Sequence, residues 1–320
     1  MKEVFIIGGG ISGLMCANVL SEYNVNITVY EPNEAGGEFL TGGLRYIHQT
    51  KNMESFLDKN NIAWGDYKIN GGILLRNKVY PYPKFLKSLD KSDALRIQND
   101  HYRKTRKIEP GNFGLSAMND PANSKSRRAL RCDLEQLVNV LKNKCNIQPY
   151  KLIKIVSDKA YFDNGVVKKF DYIILTIPLW IIKRIVDFEI PISVAMNLNI
   201  VMVDVVRDIY AKWDYVYTPY TPSDSIHRIS SEGDIYSVEI SGTLDENDLH
   251  SDLNFIFKDG WCIKGYRKNL RGHLLPMEEE INIPDNMALL GRYACWEPRA
   301  TVDVTLDKAI ELGVKWFDGV

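Results

Sequence analysis

Residues 4–14, VFIIGGGISGL, constrain this chain more than any other stretch. Val4 to Ile7 form an unbroken apolar run, the pattern of a short buried strand. Gly8, Gly10 and Gly13 follow on a G-x-G-x-x-G spacing, with Ile11 and Ser12 between them, and Leu14, Ala17, Val19 and Leu20 continue as a helix. Each glycine has its own task in such a turn. The first allows the tight bend, the second lets backbone approach a pyrophosphate, and the third lets helix and strand pack closely. The helix start directs unpaired N–H groups and a positive dipole end at phosphate oxygens. A second strand, Ile27 to Tyr30, ends in Glu31, 18 residues after Gly13, where a carboxylate accepts hydrogen bonds from ribose hydroxyls. A dinucleotide site is the reading of this pattern. The bland alternative is a glycine turn in an ordinary α/β domain, with Glu31 a solvated acid.

At 320 residues the chain is long enough for one large domain or two intertwined ones. A hydrophobic content of 45% and a charged content of 25% are those of a soluble globular protein. The longest apolar run, Tyr172 to Ile182, is broken by Pro178 and too short to span a bilayer. The strand follows Met-Lys-Glu directly, so no signal peptide is expected. Cys16, Cys132, Cys145, Cys262 and Cys295 are dispersed, as are the histidines, which predicts reduced thiols, a cytoplasmic setting and no metal site. The net charge of −1 hides three basic segments: residues 101–107, 125–131 and 264–273. Converging, they would make an anion-binding surface, with nucleic acid as one candidate partner. Dispersed, they are solvated loops.

After Glu31 come the pairs Gly36–Gly37 and Gly42–Gly43, and the chain leaves the nucleotide fold through glycine-rich loops. Helices are expected over Asn52 to Lys59, Lys84 to Leu95, Asp133 to Lys144 and Thr301 to Lys315. Gly72 to Val79 reads as one strand before Tyr80-Pro81-Tyr82-Pro83, prolines that belong to loops or edges. Leu152 to Val156, Lys159 to Phe162 and Val166 to Phe170 read as strands, the last two joined by the turn Asn164-Gly165. Asp171 to Ile177 is a buried parallel strand, and Met287 to Leu290 a last short one. Between them Met196 to Val206, Tyr215 to Tyr220, Ile235 to Ser241 and Trp261 to Tyr266 alternate as an antiparallel sheet. The fold class is therefore α/β, a Rossmann-like sheet built from residues 1–45, 130–178 and 285–318. A mainly antiparallel substrate domain, residues 46–129 and 179–284, is inserted into it.

The assembled pieces resemble the flavoprotein superfamily of UDP-galactopyranose mutase, protoporphyrinogen oxidase and the flavin amine oxidases. GGGISG with Glu31 and Gly36–Gly37 looks like the FAD signature of that group, the glycine pair one residue closer to the acid than usual. GLRYIHQT (Gly43 to Thr50) is similar to the mutase segment beside the isoalloxazine, GILLRNKVYPYP (Gly72 to Pro83) to a mutase strand, and LLGRYACWEPRATVD (Leu289 to Asp303) to the C-terminal flavin-binding turn. The resemblance implies bound FAD. Gly8, Gly10, Ile11, Ser12 and Gly13 would face the pyrophosphate, Glu31 the ribose, and backbone near Ile155 the adenine. Gly37, Gly43, Leu44, Arg45, Gly291, Arg292 and Thr301 would complete the cofactor contacts. Arg292 is a phosphate donor in this scheme, or else a surface ion pair.

Two departures bear on the reaction. Arg45 replaces the first histidine of the mutase segment, leaving His48, and Trp296 and Pro298 stand where the mutases carry tyrosines. Arg45 and His48 are candidates for a polar rim, Tyr80 and Tyr82 for the pocket boundary, and Trp296 for a flat wall like that of amine oxidases. For His48 the alternative is a hydrogen-bonded structural role, and for Trp296 a place in the core. The first hypothesis is an FAD-dependent oxidoreductase of the amine-oxidase type acting on a small molecule, with the basic segments suited to a phosphate-bearing one. The others are a mutase of a nucleotide sugar, an oxidase of a group carried on nucleic acid, and a flavin-stabilised scaffold without turnover.

Overall fold

The computed structural model of the chain describes residues 1–40, 47–75, 78–82, 89, 92–95, 97, 99, 128–191, 193, 195–206, 210, 212–218, 221–223, 225–232, 235–258, 260–274, 277, 280–297 and 300–318. Four sheets organise the described chain. At the centre is a parallel sheet in the order β18-β12-β1-β2-β8. Its strands are β1 (Lys2–Ile7), β2 (Val25–Tyr30), β8 (Ile147–Gln148), β12 (Tyr172–Leu175) and β18 (Met287–Leu289). Sequence alternation decides which side each residue serves. Val4 and Ile6 enter one core with helices α1 (Ile11–Leu20), α3 (Leu134–Asn143) and α6 (Val302–Phe317). Phe5 and Ile7 enter a second core with α4 (Leu179–Ile185) and the antiparallel meander β9 (Leu152–Val156), β10 (Lys159–Phe162) and β11 (Val167–Lys169). The parallel sheet is thus covered on both faces, which is why Val4 to Ile7 and Ile173 to Leu175 are unbroken apolar runs.

Local chemistry fixes the helix starts. Asp133 caps α3 by accepting from Gln136 N, and Thr50 caps α2 (Lys51–Lys59) by accepting from Met53 N. Helix α1 is buried almost all round, so its buried amide side chain must be satisfied: Asn18 Nδ2 donates to Leu14 O at 2.9 Å and Leu141 O at 3.2 Å. That second bond ties α1 to α3.

A seven-stranded mixed sheet runs β17-β13-β16-β15-β14-β5-β6. It comprises β5 (Gly71–Leu75), β6 (Lys78–Tyr82), β13 (Ala195–Val205), β14 (Tyr215–Tyr217), β15 (Ile226–Glu232), β16 (Ile235–Ser241) and β17 (Trp261–Leu274), with α5 (Glu246–Phe257) packed on one face. A small sheet β3-β7-β4, from β3 (Ile47–His48), β7 (Arg128–Cys132) and β4 (Trp64–Lys68), completes the described strands.

Several expectations change. The single strand over Gly72 to Val79 is a hairpin of β5 and β6, because the chain reverses between residues 75 and 78. Pro81 lies in β6, at the sheet edge, where its missing N–H is tolerated. Strand β15 and helix α5 were not anticipated in the block read as alternating strands, and β17 continues eight residues past Tyr266. Most of the helix expected over Lys84 to Leu95 lies outside the described residues; residues 92–95 are helical.

Leu141 is fully buried in the first core, whereas Val314 on α6 is 48% exposed. Leu141→Ala should cost about 2–5 kcal/mol in denaturant unfolding, and Val314→Ala less than about 0.5 kcal/mol. Equal shifts in midpoint would contradict this placement of the core.

Candidate functional site

Four loops leave the C-terminal ends of β1, β2, β12 and β18, and direct contacts join them. The strand order turns about β1, whose helix leads to β2 on one side while β12 flanks the other. In open parallel sheets ligands bind in the crevice at such a switch point.

The β1 loop sets the geometry. Gly8 has φ +109°, a conformation glycine adopts without strain. A Cβ at Gly13 would lie 2.0 Å from Gly8 O, so α1 can pack this close to the turn only with glycine there. A Cβ on Gly10, by contrast, would meet nothing within 4 Å. Gly10 is the N-cap of α1, makes no side-chain cap hydrogen bond, and is followed by a first turn without acidic residues. The result is an open patch of backbone at a helix N-terminus with its N–H groups and dipole intact, the setting that anionic phosphate requires.

The other loops close around it. Glu31, directly after β2, accepts from Gly9 N at 2.8 Å through Oε2 and from Asn33 N at 2.9 Å through Oε1. Two backbone bonds fix the carboxylate and leave it acceptor capacity for hydroxyl donors. Gly36 N donates to Gly9 O at 2.8 Å, and Gly37, at φ +59°, lies so near that its Cβ would be 3.3 Å from Gly10 Cα. After β12, Thr176 Oγ1 lies 3.0 Å from both Ile7 O and Gly8 O and buttresses the turn from below. After β18, Gly291 (φ +91°) presses on α1: its Cβ would stand 2.5 Å from Ser12 Oγ.

The segment after Gly291 folds as a compact turn. Cys295 N donates to Gly291 O and Glu297 N to Arg292 O, each at 3.0 Å. Leu179 N donates to Tyr293 O at 3.0 Å, fastening the turn to α4. Arg292 is partly buried, its guanidinium 5.7 Å from the Tyr293 ring centroid. Trp296 is only 4% exposed, packs edge-on to Trp180 with centroids 6.0 Å apart, and belongs to the second core. The flat-wall role expected of Trp296 is therefore corrected to core packing. Its φ of +52° is strained for a non-glycine residue and is held by the turn around it.

His48 Nδ1 lies 3.4 Å from Asp303 Oδ1, a charge contact longer than a good hydrogen bond. Asp303 stands in the first turn of α6, behind its N-cap Thr301. The structure thus gives His48 a partner linking β3 to α6, in keeping with the structural alternative. Ile155 lies in β9, buried, paired with Ala160. Gly43, Leu44 and Arg45 lie outside the described residues. Tyr82 is placed in β6 by its backbone alone, and Tyr80 beside it joins a small apolar cluster with Ile73 and Tyr217.

Sequence reasoning missed Thr176. The signal for Thr176 was there: it is the first residue past an apolar parallel strand, where ligand-site residues gather. Of the basic segments, residues 101–107 and 125–127 lie outside the described residues. Arg128 and Arg131 lie on β7, and Lys264, Arg267 and Lys268 on β17, in a different sheet. Lys264 pairs with Asp204 at 3.2 Å and Lys268 with Glu246 at 3.7 Å, so part of that charge is already neutralised. Burial pushes the Cys132 and Cys145 thiols up to about 11 and Cys16 higher still, which makes them inert. Among the described residues there is no cluster of metal-ligating side chains, and no helix is long and apolar enough to cross a membrane.

Comparison with known proteins agrees with this geometry. Residues 6–59 match the family of NAD(P)-binding Rossmann-like domains. Flavin-containing amine oxidase A of Sus scrofa is 32% identical over 97 residues, covering 26% of this chain and 18% of that protein. The match thus spans less than a fifth of that relative's length. Among solved structures, reduced UDP-galactopyranose mutase superposes with a TM-score of 0.69 at 12% identity, covering 98% of this chain and 95% of the other. Putrescine oxidase bound to putrescine gives 0.61 at 11% identity, covering 98% of each chain.

Two predictions follow from the loop geometry. Gly13→Ala forces Cβ into the Gly8 carbonyl and should lower the melting temperature by several degrees, while Gly10→Ala should leave it unchanged; the reverse order contradicts the packing. Asp303 supplies the second. Burial raises its carboxyl, but the neighbouring His48 and Thr301 side chains outweigh that and hold it below the usual range. A depressed carboxyl stabilises the fold above its unfolded value, about 3.9, and that stability is lost as pH falls through the lower folded value. Asp303→Asn should flatten the acid limb of the stability curve below about pH 4. An unchanged acid limb contradicts the ion pair. In fold, the chain is similar to the solved structures of UDP-galactopyranose mutase and putrescine oxidase, and its residues 6–59 match a Rossmann-like dinucleotide-binding family.

Proposed function

We propose that this protein is an FAD-dependent oxidoreductase of the amine-oxidase type, removing hydride from a substrate C–H bond next to an amine. The observation that carries the reading is the open backbone at Gly10, at an uncapped helix N-terminus, with a fixed carboxylate at Glu31 beside it. A dinucleotide fits that donor set: N–H groups for the diphosphate and an acceptor for the ribose. FAD, when bound, supplies a two-electron acceptor that no amino-acid side chain offers.

In this reading Gly8, Gly10, Ile11, Ser12 and Gly13 hold the diphosphate through backbone and the helix dipole. Glu31 orients the ribose, and backbone at Ile155 borders the adenine. Gly37, Gly43 and Leu44 line the loop side, and Gly291, Arg292 and Thr301 the side facing the C-terminal turn. Arg292 contributes positive charge near the diphosphate. Arg45, at the end of the nucleotide-binding segment 1–45, and Tyr82, in the inserted region of residues 46–129 and 179–284, remain the proposed polar rim and boundary of the substrate pocket. His48 acts as a positioning residue through Asp303, holding β3 to the start of α6.

The runner-up is a mutase on a nucleotide sugar, which the Gly43 to Thr50 and Gly72 to Pro83 segments resemble. Anaerobic addition of candidate amines to the flavin-loaded protein distinguishes the two. The oxidoreductase reading predicts bleaching by a substrate amine and return of colour with peroxide in air. Turnover of a nucleotide sugar only after prior reduction, with no net redox change, would overturn it.

A further inference from the structure

Strand β12 ends at Leu175, but its ladder with β1 runs one residue further: Thr176 N donates to Ile7 O at 2.9 Å. That bond sets where the Thr176 side chain goes. Its hydroxyl enters the space that two missing side chains leave open. A Cβ on Gly8 would lie 2.5 Å from Thr176 Oγ1, and one on Gly13 would lie 3.1 Å from it. From there Oγ1 has one proton and two acceptors, Ile7 O and Gly8 O, each at 3.0 Å. The two carbonyls do not depend on it equally. Ile7 O also accepts from Thr176 N, whereas Gly8 O has no second donor among the described residues.

The other end of the same peptide unit is held as well. Gly9 N donates to Glu31 Oε2 at 2.8 Å, and the Glu31 side chain lies along Gly9, where an added Cβ would come 2.8 Å from Glu31 Cβ. In a trans peptide the C=O and N–H point to opposite sides. The Gly8–Gly9 peptide is therefore held across its width, its carbonyl by the loop after β12 and its N–H by the acid after β2. This matters because the unit lies between two glycines, and Gly8 already sits at φ +109°. Without a Cβ on either side, such a peptide rotates at little steric cost. Turned over, it would set its carbonyl against the Glu31 carboxylate, acceptor against acceptor, and Glu31 would lose one of its two backbone donors. The next peptide is fixed too: Gly9 O accepts from Gly36 N at 2.8 Å, which turns the Gly10 N–H the opposite way.

We infer that Thr176 is a positioning residue for a nucleoside diphosphate bound at the β1 turn. By holding the Gly8 carbonyl under α1 it keeps Gly9 N–H on Glu31, and so keeps the ribose acceptor in register with the phosphate-binding backbone. The hydroxyl acts through the peptide and needs no contact with the ligand. The inference rests on the nucleotide reading of this turn, whatever group the second phosphate carries.

Calorimetric titration of the flavin-free full chain with adenosine diphosphate (ADP) and with FAD, well below each variant's melting temperature, tests it. Wild type should bind both. Thr176→Val, close to threonine in shape but without the hydroxyl, should bind ADP about five- to ten-fold more weakly. Thr176→Ser keeps the hydroxyl and should stay within about three-fold of wild type. A threonine that only stabilised the fold would lower the melting temperature without this loss and rescue. Thr176→Ala removes the same hydroxyl and gives the same reading where the valine variant fails to fold. In a Glu31→Ala background the loss on Thr176→Val should fall below about three-fold, because the two side chains hold one peptide. ADP affinity untouched by Thr176→Val, a serine variant no better than valine, or an undiminished loss beside Glu31→Ala would each overturn the assignment. Binding of ADP without uptake of FAD sinks the flavin reading alone, and the Thr176 comparison is then read with ADP. A wild type that binds neither overturns both.

Discussion

The approach of α1 to the end of β1 is the contact on which the rest of the site depends. Because Gly13 has no Cβ, the helix can start directly against the carbonyl of Gly8. That start places the first N–H groups of α1 at the edge of the parallel sheet instead of a turn away from it. Gly10 then lies open, and the loops after β2, β12 and β18 have a fixed object to pack on. Glu31 binds Gly9, Thr176 binds the β1 carbonyls, and Gly291 rests on Ser12. One missing methyl group orders three further loops.

The sheets divide the chemistry. The parallel sheet is covered on both faces by apolar cores and offers only its C-terminal edge, where backbone N–H groups and a held carboxylate collect. The seven-stranded sheet is asymmetric: α5 covers one face, and the other carries the Arg228–Glu239 pair in a buried setting. A buried ion pair is a poor source of net stability, since desolvation offsets most of the attraction. Its value lies in fixing the direction of the guanidinium.

Much of the parallel sheet was legible because its signals are local and strong. Val4 to Ile7, Ile27 to Tyr30 and Asp171 to Ile177 are apolar runs beside glycine or proline, and β1, β2 and β12 fall within or overlap them. The Asn164-Gly165 turn placed the β10–β11 hairpin in the same way. Strand β15, IHRISSE, stayed hidden because its pattern is that of a solvated loop: His227 and Ser230 are buried by a partner row that sequence alone does not supply. Helix α5 had readable cues, an Asp245 cap and Leu249, Leu253, Ile256 and Phe257 on one side, but they were submerged in a block of alternating strands. Strand β8 has two residues, too few for any periodicity. At the site the glycines and Glu31 were legible through spacing. Thr176 and the burial of Trp296 depend on contacts between distant segments, and no spacing encodes those.

The central claim is that the backbone at Gly10 receives the diphosphate of FAD. Gly10→Ala changes that surface without a clash inside the protein, so it isolates binding from folding. Equilibrium titration of the flavin-free protein with FAD, wild type against Gly10→Ala, measures it directly. The account predicts stoichiometric uptake by the wild type and at least ten-fold weaker uptake by the equally well-folded variant. A folded wild-type protein that takes up no FAD, or a variant that binds it equally well, would contradict it.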